Sequence, residues 1–467
     1  MGLAPALESP ATDTAAVVEP GRTSAIAALR YRDFRLFWFG LLVSNTGTWM
    51  QMFGQGYLVV QLAVRDGVPQ LAPLYLGLVG LARAIPGLTF GLFGGVVADR
   101  ADRRRLLLVT QSLAAISAMV LATLTITGRI DIVQILMLGA INSLIFSFDA
   151  PTRQSMVPRL VPERDLMSAI GLNSAAFNGP QIIGPVVGGL LANAISAGQP
   201  EGSLAGVGWL FALNAVSYIA VVVALVFMAP MPVQARRDVP VLRSIREGLG
   251  YIRREPVILW VVILVSLTAL LSRPYIQLLP AVAQEFGVGP LQLSWMFGAS
   301  GVGSLLGALA TASLGNVRRR GAVLIGGAGA MSVLLALFGA QRSFIVGLPL
   351  LILVGFTTML FLGMANTLLQ TRTPDQLRGR VMSVHTMVFM GLMPLGSMVL
   401  GAIGTFVGVS TSFVIGGVLV AAVTLYAALR APALRLATSQ PRHRRQYAQV
   451  HPPRALHADA RSGGAAD

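Results

Sequence analysis

The sequence has no cysteine and few charged or histidine side chains. Without cysteine the chain can form neither a disulfide, nor a thiolate metal site, nor a cysteine nucleophile. Only 12% of the 467 residues are charged and four are histidine, so we predict no metal centre and no cofactor. An ordinary soluble domain is roughly 25% charged. With 54% hydrophobic residues and a mean hydropathy of +0.71, the chain is not a soluble enzyme.

Long apolar runs occupy most of the chain between residues 36 and 430. A helix needs about 20 apolar residues to cross a bilayer. The runs therefore predict an all-α membrane protein with twelve transmembrane helices in two pseudo-symmetric six-helix bundles. The predicted spans are 36–63, 73–98, 104–127, 130–152, 166–196, 206–229, 256–284, 290–314, 321–340, 343–370, 380–408 and 410–430.

All 35 basic residues are arginine, and they separate the apolar runs. The net charge of +16 would suit nucleic acid, but a nucleic-acid-binding protein collects its basic residues on a soluble face. If both termini are cytoplasmic, 30 arginines fall in cytoplasmic segments and three in outer loops, as the positive-inside rule expects. We predict a multi-pass protein of the cell's cytoplasmic (inner) membrane that contacts lipid and binds no nucleic acid.

The longest internal polar stretch carries six arginines and separates the first six spans from the last six. The first residues are acidic where a secretory signal would be basic, so we expect no cleaved signal. The predicted organisation is a cytoplasmic tail 1–35, a bundle 36–229, a cytoplasmic linker 230–255, a bundle 256–431 and a disordered cytoplasmic tail 432–467.

The loop after span two reads GGVVADRADRRR from residue 94. A carboxylate in it can accept charge-assisted hydrogen bonds from a neighbouring helix end, and its arginines can contact anionic lipid. The loop resembles the motif between helices two and three of the major facilitator superfamily of transporters. The resemblance implies a cytoplasmic gate formed by Asp99, Arg100 and Arg103. A membrane anchor with no switching role is the alternative.

Span five is rich in glycine and proline. Its stretch from residue 184 to 189, GPVVGG, is similar to the antiporter-associated motif of the superfamily, with Pro180 in place of one glycine. Small residues let helices pack closely, and prolines kink a helix that must flex or seal. The motif favours export, with gating residues Gly184, Pro185, Gly188 and Gly189. Plain close packing is the alternative.

Two further regions resemble one exporter branch of the superfamily. They are FDAPTRQ from residue 148, and RGRVMS from residue 378 with PLGS from residue 394. The branch includes enterobactin exporters and relatives of macrolide efflux pumps. The resemblance implies a proton-driven exporter whose cavity lies among helices one, four, seven and ten.

Uncharged polar residues mark the predicted substrate site. In span one they recur at helical spacing, which places a polar stripe on one face of an apolar helix. Buried amides in a bilayer are unfavourable unless paired, so the stripe faces either a wet cavity or polar groups of a neighbouring helix. The substrate-binding candidates of this kind are Asn45, Thr48, Gln51, Gln55, Asn142, Gln277 and Asn366.

Two arginines lie within predicted spans, Arg83 near the midplane of span two and Arg273 in the outer half of span seven. A central charge is unfavourable by about 3 kcal/mol on insertion scales unless it has a partner or water. With no intramembrane acid evident beside them in the sequence, the two predict an electropositive site for an anionic substrate. Bonding to helix-end carbonyls, or snorkelling outward, is the alternative.

Asp149 and His385 are the candidates for a coupled proton. Asp149 lies near the cytoplasmic end of span four, where a partly buried carboxyl can titrate near neutrality. Arg153 stands one helical turn further on and would instead hold Asp149 ionised as a gating pair, which is the interpretation we favour. His385 lies just over one turn into span eleven and is the other titratable group.

These features together predict a secondary active transporter, a proton-coupled exporter of a small amphipathic or anionic compound such as a siderophore, drug or metabolite. We expect a monomer that works by alternating access. The first alternative is uptake of a nutrient anion by the same fold, and the second is a membrane scaffold that transports nothing.

Overall fold

The structure is a computed structural model that describes residues 24–197, 203–229, 241–314, 317 and 319–437. Within these ranges the side chains of 92–96, 98–100 and 241–245 are not described. A short 3-10 helix, Ala27–Arg30, precedes the first α-helix. The α-helices are α1 Arg32–Arg65, α2 Ala72–Arg100, α3 Arg103–Ile126, α4 Ile132–Met156, α5 Leu166–Asn178, α6 Pro180–Ser196, α7 Ala205–Phe227, α8 Val241–Arg254, α9 Pro256–Leu271, α10 Tyr275–Glu285, α11 Pro290–Ser313, α12 Arg320–Ala340, α13 Phe344–Arg372, α14 Asp375–Val407, α15 Val409–Arg430 and α16 Pro432–Arg435.

The described residues form twelve helical crossings in two groups of six, which confirms the predicted fold class. Helices α5 and α6 form one crossing that is broken at Gly179, and α9 and α10 form another that is broken around Pro274. Ten segments of the described chain are long and apolar enough to span by composition. Helix α1 and the α5–α6 crossing are not among these ten. Both carry polar residues along their length, such as Gln51 in α1 and Gln181 in α6.

Each half of the chain packs its helices around its own buried contacts. In the N-terminal half α1 packs against α6 and α7, α2 against α4, and α3 against α4 and α7. In the C-terminal half α11 packs against α13, α12 against α13 and α15, and α14 against α9 and α15. Large apolar side chains such as Phe211 and Phe361 are fully buried in these contacts.

The two halves meet where α2 packs against α14 and α6 against α11. We name the end with α8, the start of α1 and the end of α15 the α8 end, and the opposite end the far end. A Cβ at Gly77 would lie 2.7 Å from the Cα of Met398, and one at Gly401 would lie 2.2 Å from the carbonyl oxygen of Pro73. Backbone thus meets backbone between α2 and α14, and this contact closes the far end.

Part of the predicted linker and part of the predicted tail are ordered. Helix α8 packs on α14 and buries Ile252, because apolar residues recur on one of its faces. Leu434 of α16 is buried, and the amide of Gly321 donates to the carbonyl of Ala437 at 3.2 Å, so the chain after residue 432 still belongs to the bundle. Residues 1–23, 230–240 and 438–467 of the predicted tails and linker lie outside the described residues.

Candidate functional site

A cavity of about 660 Å³ lies between the two halves. The N-terminal half contributes α1, α2 and α4, and the C-terminal half contributes α10, α11 and α14. Most of the wall is apolar, with aromatic and methionine side chains from both halves. Its lining includes Met52, Gln55, Arg83, Ser143, Phe146, Gln277, Phe297, Phe389, Met390 and Met393.

The cavity extends from the far-end contact towards the α8 end. Near the far end it is bounded by Leu76 and Pro280, close to the contact between α2 and α14. Towards the α8 end its lining continues to Gly91 on α2 and Gln154 in the last turn of α4. The cavity therefore extends towards the side of the molecule on which α8 lies.

Arg83 is the one charged residue among the described residues that line the cavity. It is half-buried, and its Nη2 donates a hydrogen bond to Oε1 of Gln55 on α1. The carbonyl oxygen of Arg83 accepts a hydrogen bond from Oγ of Ser143 on α4 at 2.5 Å. Gly139 on α4 leaves room for the arginine stem, since a Cβ there would lie 3.6 Å from its Nε. Three helices thus position one guanidinium at the cavity wall.

No ion pair joins Arg83 to a carboxylate within the part of the chain whose side chains are described. Its hydrogen-bond partner, Gln55, is a neutral amide. A half-buried cation without a counter-ion among the described side chains attracts an anion more strongly than a cation in bulk water does. The wall around it offers apolar surface for the rest of a ligand.

Gln277 on α10 is a polar group that the C-terminal half contributes to the cavity wall. Its Oε1 accepts a hydrogen bond from Ser397 on α14. A Cβ at Gly80 on α2 would lie 3.0 Å from the same oxygen, so the two halves approach each other closely at this point. Gln55, Arg83 and Gln277 are the predicted substrate-binding residues that line the cavity.

The rest of the polar stripe on α1 is directed into the N-terminal half. Asn45 Nδ2 donates to the carbonyl of Ala176 at 2.8 Å, and Gln51 accepts from Asn214 Nδ2 at 2.6 Å. The hydroxyl of Thr48 lies 3.2 Å from that of Tyr218. These three residues do not line the cavity; they hydrogen-bond between helices, which was the alternative interpretation of the stripe.

Three further candidates also lie away from the cavity lining. Asn142 is half-buried on α4, one position before the lining residue Ser143. Arg273 lies at the break between α9 and α10, and its Nε is buried with no hydrogen-bond partner in the described chain. Asn366 accepts a hydrogen bond from Gln370 at 3.1 Å on the exposed side of α13.

The apolar wall was not among the predicted site residues. Phe146, Phe297, Phe389 and three methionines contribute to it. In the sequence these side chains look like any others in an apolar span, where phenylalanine and methionine also face lipid or neighbouring helices. Ser143, next to the predicted Asn142, was the nearest available polar signal.

Asp149 and Arg153 form a buried ion pair on α4. They are 1% and 4% exposed, respectively. Oδ1 of Asp149 also accepts from Thr110 at 2.9 Å and from Gln111 at 2.6 Å, both on α3. Arg153 Nη1 donates to Asn45 at 3.3 Å, which connects the pair to α1. The carboxylate is therefore fully partnered within the N-terminal half.

The loop between α2 and α3 is held to the N-terminal half. Arg103 is buried and its Nε donates to Oγ of Ser155 near the end of α4 at 2.8 Å. Asp102 caps α3 by accepting from the amide of Arg104 at 3.0 Å. Arg104 Nε in turn donates to the carbonyl of Leu225 on α7 at 2.6 Å. The side chains of the predicted gating residues Asp99 and Arg100 lie outside the described part of the chain.

The glycine motif of α6 lies between α1 and the opposite half. A Cβ at Gly184 would lie 2.8 Å from the carbonyl of Thr46 on α1, and a Cβ at Gly188 would lie 3.0 Å from Met50. A Cβ at Gly189 would lie 2.2 Å from Ser294 on α11. The motif thus allows close packing within one half and across to the other, with Pro185 buried in the same helix.

His385 lies on α14, one turn before the cavity wall. Its ring stacks on Phe389 with a centroid separation of 6.5 Å and an interplanar angle of 13°. Its Nε2 is buried and has no hydrogen-bond partner in the described chain.

The chain matches one family model and is similar to curated exporters. The model of a family described as transmembrane secretion effector matches residues 23–464. The enterobactin exporter EntS of Escherichia coli O139:H28 is 25% identical over 329 residues, which cover 70% of this chain and 76% of that protein. The EntS of Escherichia fergusonii matches to the same extent.

Solved structures share the fold at low sequence identity. A bacterial homologue of the human lysosomal transporter Spinster, in an inward-facing and occupied conformation, has a TM-score of 0.65 and 13% identity, with coverage of 87% of this chain and 98% of that one. A D-xylose–proton symporter has a TM-score of 0.64 and 16% identity, with coverage of 86% and 100%.

Proposed function

We propose an export function from one premise: the chain belongs to the transmembrane secretion effector family, within the major facilitator superfamily of transporters. It is accordingly a multi-pass membrane transporter of a small molecule. The finer proposal is that it works as a monomer in the cytoplasmic membrane and exports a small amphipathic compound that carries an acidic group, in exchange for protons.

One observation carries the choice of substrate class: Arg83 has no ion-pair partner among the described side chains and lies at the wall of a mostly apolar cavity. A charged hydrogen bond to a bound carboxylate, phenolate or sulfonate would supply the counter-ion that the described side chains do not. Phe146, Phe297 and Phe389 would contact an aromatic or greasy body. A volume of about 660 Å³ suits a drug-sized molecule.

Two observations bear on the direction of transport: the side on which the cavity lies, and the similarity to an enterobactin exporter. By the positive-inside rule the α8 end is cytoplasmic, with both termini on that side. The cavity would then receive its substrate from the cytoplasm, which is the loading state of an exporter. An uptake transporter passes through the same state when it releases its substrate, so the similarity to an enterobactin exporter supports export over uptake.

For the coupled proton we propose His385 rather than Asp149. Protonation of Asp149 would leave the charge of Arg153 buried and unpaired, which is strongly unfavourable. Nε2 of His385 is buried without a hydrogen-bond partner in the described chain, and its ring stacks on Phe389 of the cavity wall. The nearest arginines on its own helix, Arg378 and Arg380, pair with acidic residues. A proton on His385 would thus change the charge beside the cavity without breaking an existing ion pair.

The experiment is transport into inverted membrane vesicles that contain the full chain. With an imposed proton gradient, acidic inside, we expect accumulation of enterobactin as the first probe, or of an acidic aromatic compound identified by untargeted mass spectrometry of vesicles incubated with cell extract. Accumulation only in right-side-out vesicles would establish the uptake alternative. No gradient-dependent accumulation in either orientation would support the scaffold alternative.

A further inference from the structure

Helix α8 has one buried and one exposed face. Ile252 is 1% exposed, and a Cβ at Gly248 would lie 2.7 Å from the carbonyl oxygen of Arg380, so this face is pressed against α14. The opposite face repeats at i, i+3, i+4 and i+7, which is one side of a helix. Its exposed members are Arg246, Leu249, Gly250 and Arg253, followed by the exposed Arg254.

The position of α8 is fixed at the ends of three membrane spans. Glu247 forms an ion pair with Arg380 in the second turn of α14. The hydroxyl of Tyr251 donates to the carbonyl of Arg372, the last residue of α13, at 3.5 Å. Only Glu255 separates α8 from Pro256, the first residue of the α9 span. The helix therefore lies at the level where spans leave the bilayer.

The exposed face of α8 is cationic and has no acidic residue to balance it. Glu247 is the one acidic residue of α8, and it pairs with Arg380. Arg246, Arg253 and Arg254 have no ion pair in the described part of the chain. Leu249 between them is 39% exposed. Arginines that flank an exposed apolar residue on one helix face suit a membrane surface.

We propose that the outer face of α8, formed by Arg246, Leu249, Gly250, Arg253 and Arg254, binds the headgroups of anionic phospholipids. The guanidinium groups can pair bidentately with lipid phosphates, and Leu249 reaches the boundary of the acyl chains. Helix α8 forms an ion pair with α14, and α14 both lines the cavity and closes the far end. A lipid bound to α8 would therefore restrain the position of α14. The proposal concerns the helix surface only and does not depend on which compound is transported.

The test uses the absence of native cysteine. The full-length Leu249→Cys variant, labelled with bimane, is reconstituted in phosphatidylcholine that contains either brominated phosphatidylglycerol or brominated phosphatidylcholine. We expect severalfold steeper quenching by the anionic lipid. Replacing Arg246, Arg253 and Arg254 with glutamine should abolish the preference, because each arginine near a membrane surface contributes about fivefold in affinity for anionic lipid.

The matched control replaces three exposed arginines of the same end outside α8, Arg319, Arg430 and Arg435, with glutamine and should keep the preference. Inorganic phosphate at millimolar concentration should not displace the lipid. If the triple α8 variant does not fold in detergent, the single variants Arg246→Gln and Arg253→Gln replace it, each with about a fivefold loss. Equal quenching by the two lipids, or a preference unchanged by the α8 substitutions, would overturn the proposal.

Discussion

Arg83 on α2 donates a hydrogen bond to the side-chain carbonyl of Gln55 on α1, at the wall of the cavity between the two halves. The bond orients the guanidinium without neutralising it, because an amide carries no net charge. A bound anion can therefore add a charged interaction while the contact with Gln55 remains. We therefore propose different roles for the two residues: Gln55 positions the guanidinium, and Arg83 binds the anion.

Substitution of Arg83 tests the binding role. Arg83→Gln should weaken binding of an acidic substrate about 10- to 100-fold, since a hydrogen bond to a charged group contributes about 1.5 to 3 kcal/mol. Arg83→Lys should be intermediate, because it keeps the charge and loses the planar fork. The measurement is the concentration dependence of transport into inverted vesicles. Arg65→Gln, at an exposed arginine of the far end, is the control; an equal effect there would contradict the assignment.

The buried ion pair predicts a stability loss for Asp149→Asn. Arg153 would remain buried without its counter-ion, so we expect a loss of about 3 to 5 kcal/mol in the free energy of unfolding. The double substitution Asp149→Leu with Arg153→Met should recover most of it. Asp375→Asn removes a carboxylate that is 80% exposed and paired with Arg378, and it should change little. Chemical denaturation in detergent measures all four proteins.

The same variant separates a structural role of Asp149 from a proton-coupling role. An Asp149→Asn protein with normal stability that has lost only its response to a proton gradient would mean that Asp149 carries the proton.

His385→Gln should uncouple transport from the proton gradient. We expect gradient-driven accumulation to fall at least about tenfold, while exchange of substrate at equal pH on both sides continues, because glutamine keeps polarity but cannot be protonated near neutral pH. His443→Gln, outside the described residues, is the control. Gradient-driven transport at the normal rate in His385→Gln would assign the proton to another group.

The carboxylate of Asp165, at the α8 end, should stabilise the folded protein by an amount that depends on pH. It accepts from the hydroxyl of Tyr31 and from Arg30, each at 2.6 Å, and these contacts hold the pKa of its carboxyl below the ordinary value of 3.8. A carboxyl with a lower pKa in the folded state stabilises it above the unfolded value and loses that effect as the pH falls through the folded value. Asp165→Asn should therefore lower the unfolding temperature at pH 7, and its difference from wild type should shrink below about pH 4.

Thermal unfolding in detergent between pH 3 and 8 checks this. A difference between Asp165→Asn and wild type that stays constant over the whole range would show that the carboxylate charge plays no part.

The close contact between Gly401 on α14 and Pro73 on α2 should keep the far end closed. Because a Cβ there would lie 2.2 Å from the carbonyl oxygen of Pro73, Gly401→Ala should push α14 away from α2. We expect severalfold faster labelling of Leu76→Cys, which lies 5% exposed at the cavity, by an impermeant maleimide added from the far side. Gly379→Ala on the same helix, where a Cβ meets nothing within 4 Å, is the matched control. Equal labelling in both would mean that the far end is not held by this contact.

The sequence predicts the crossings well where apolar runs are long and uninterrupted. It also predicts the pairing of Asp149 with Arg153, because residues four apart on a helix are neighbours whatever the helix packs against. It predicts less about α5–α6 and α9–α10, which it presents as single spans, because backbone breaks depend on the surrounding helices. Where the structure has the surface helix α8, the sequence predicts only a polar linker.

For the site residues, too, some features are predictable from the sequence and others depend on how the helices pack. Composition and periodicity are enough to predict that this chain spans a membrane, that it has two similar halves, and that Arg83 is an unusual charge within a span. The packing of the helices is needed to show that Gln55 and Arg83 line the cavity while Asn45, Thr48 and Gln51 form hydrogen bonds within one half. A hydrophobic pattern gives the depth of a residue in the bilayer, because it gives the residue's position along the helix. Whether the side chain then meets water or another helix depends on how the helices are packed.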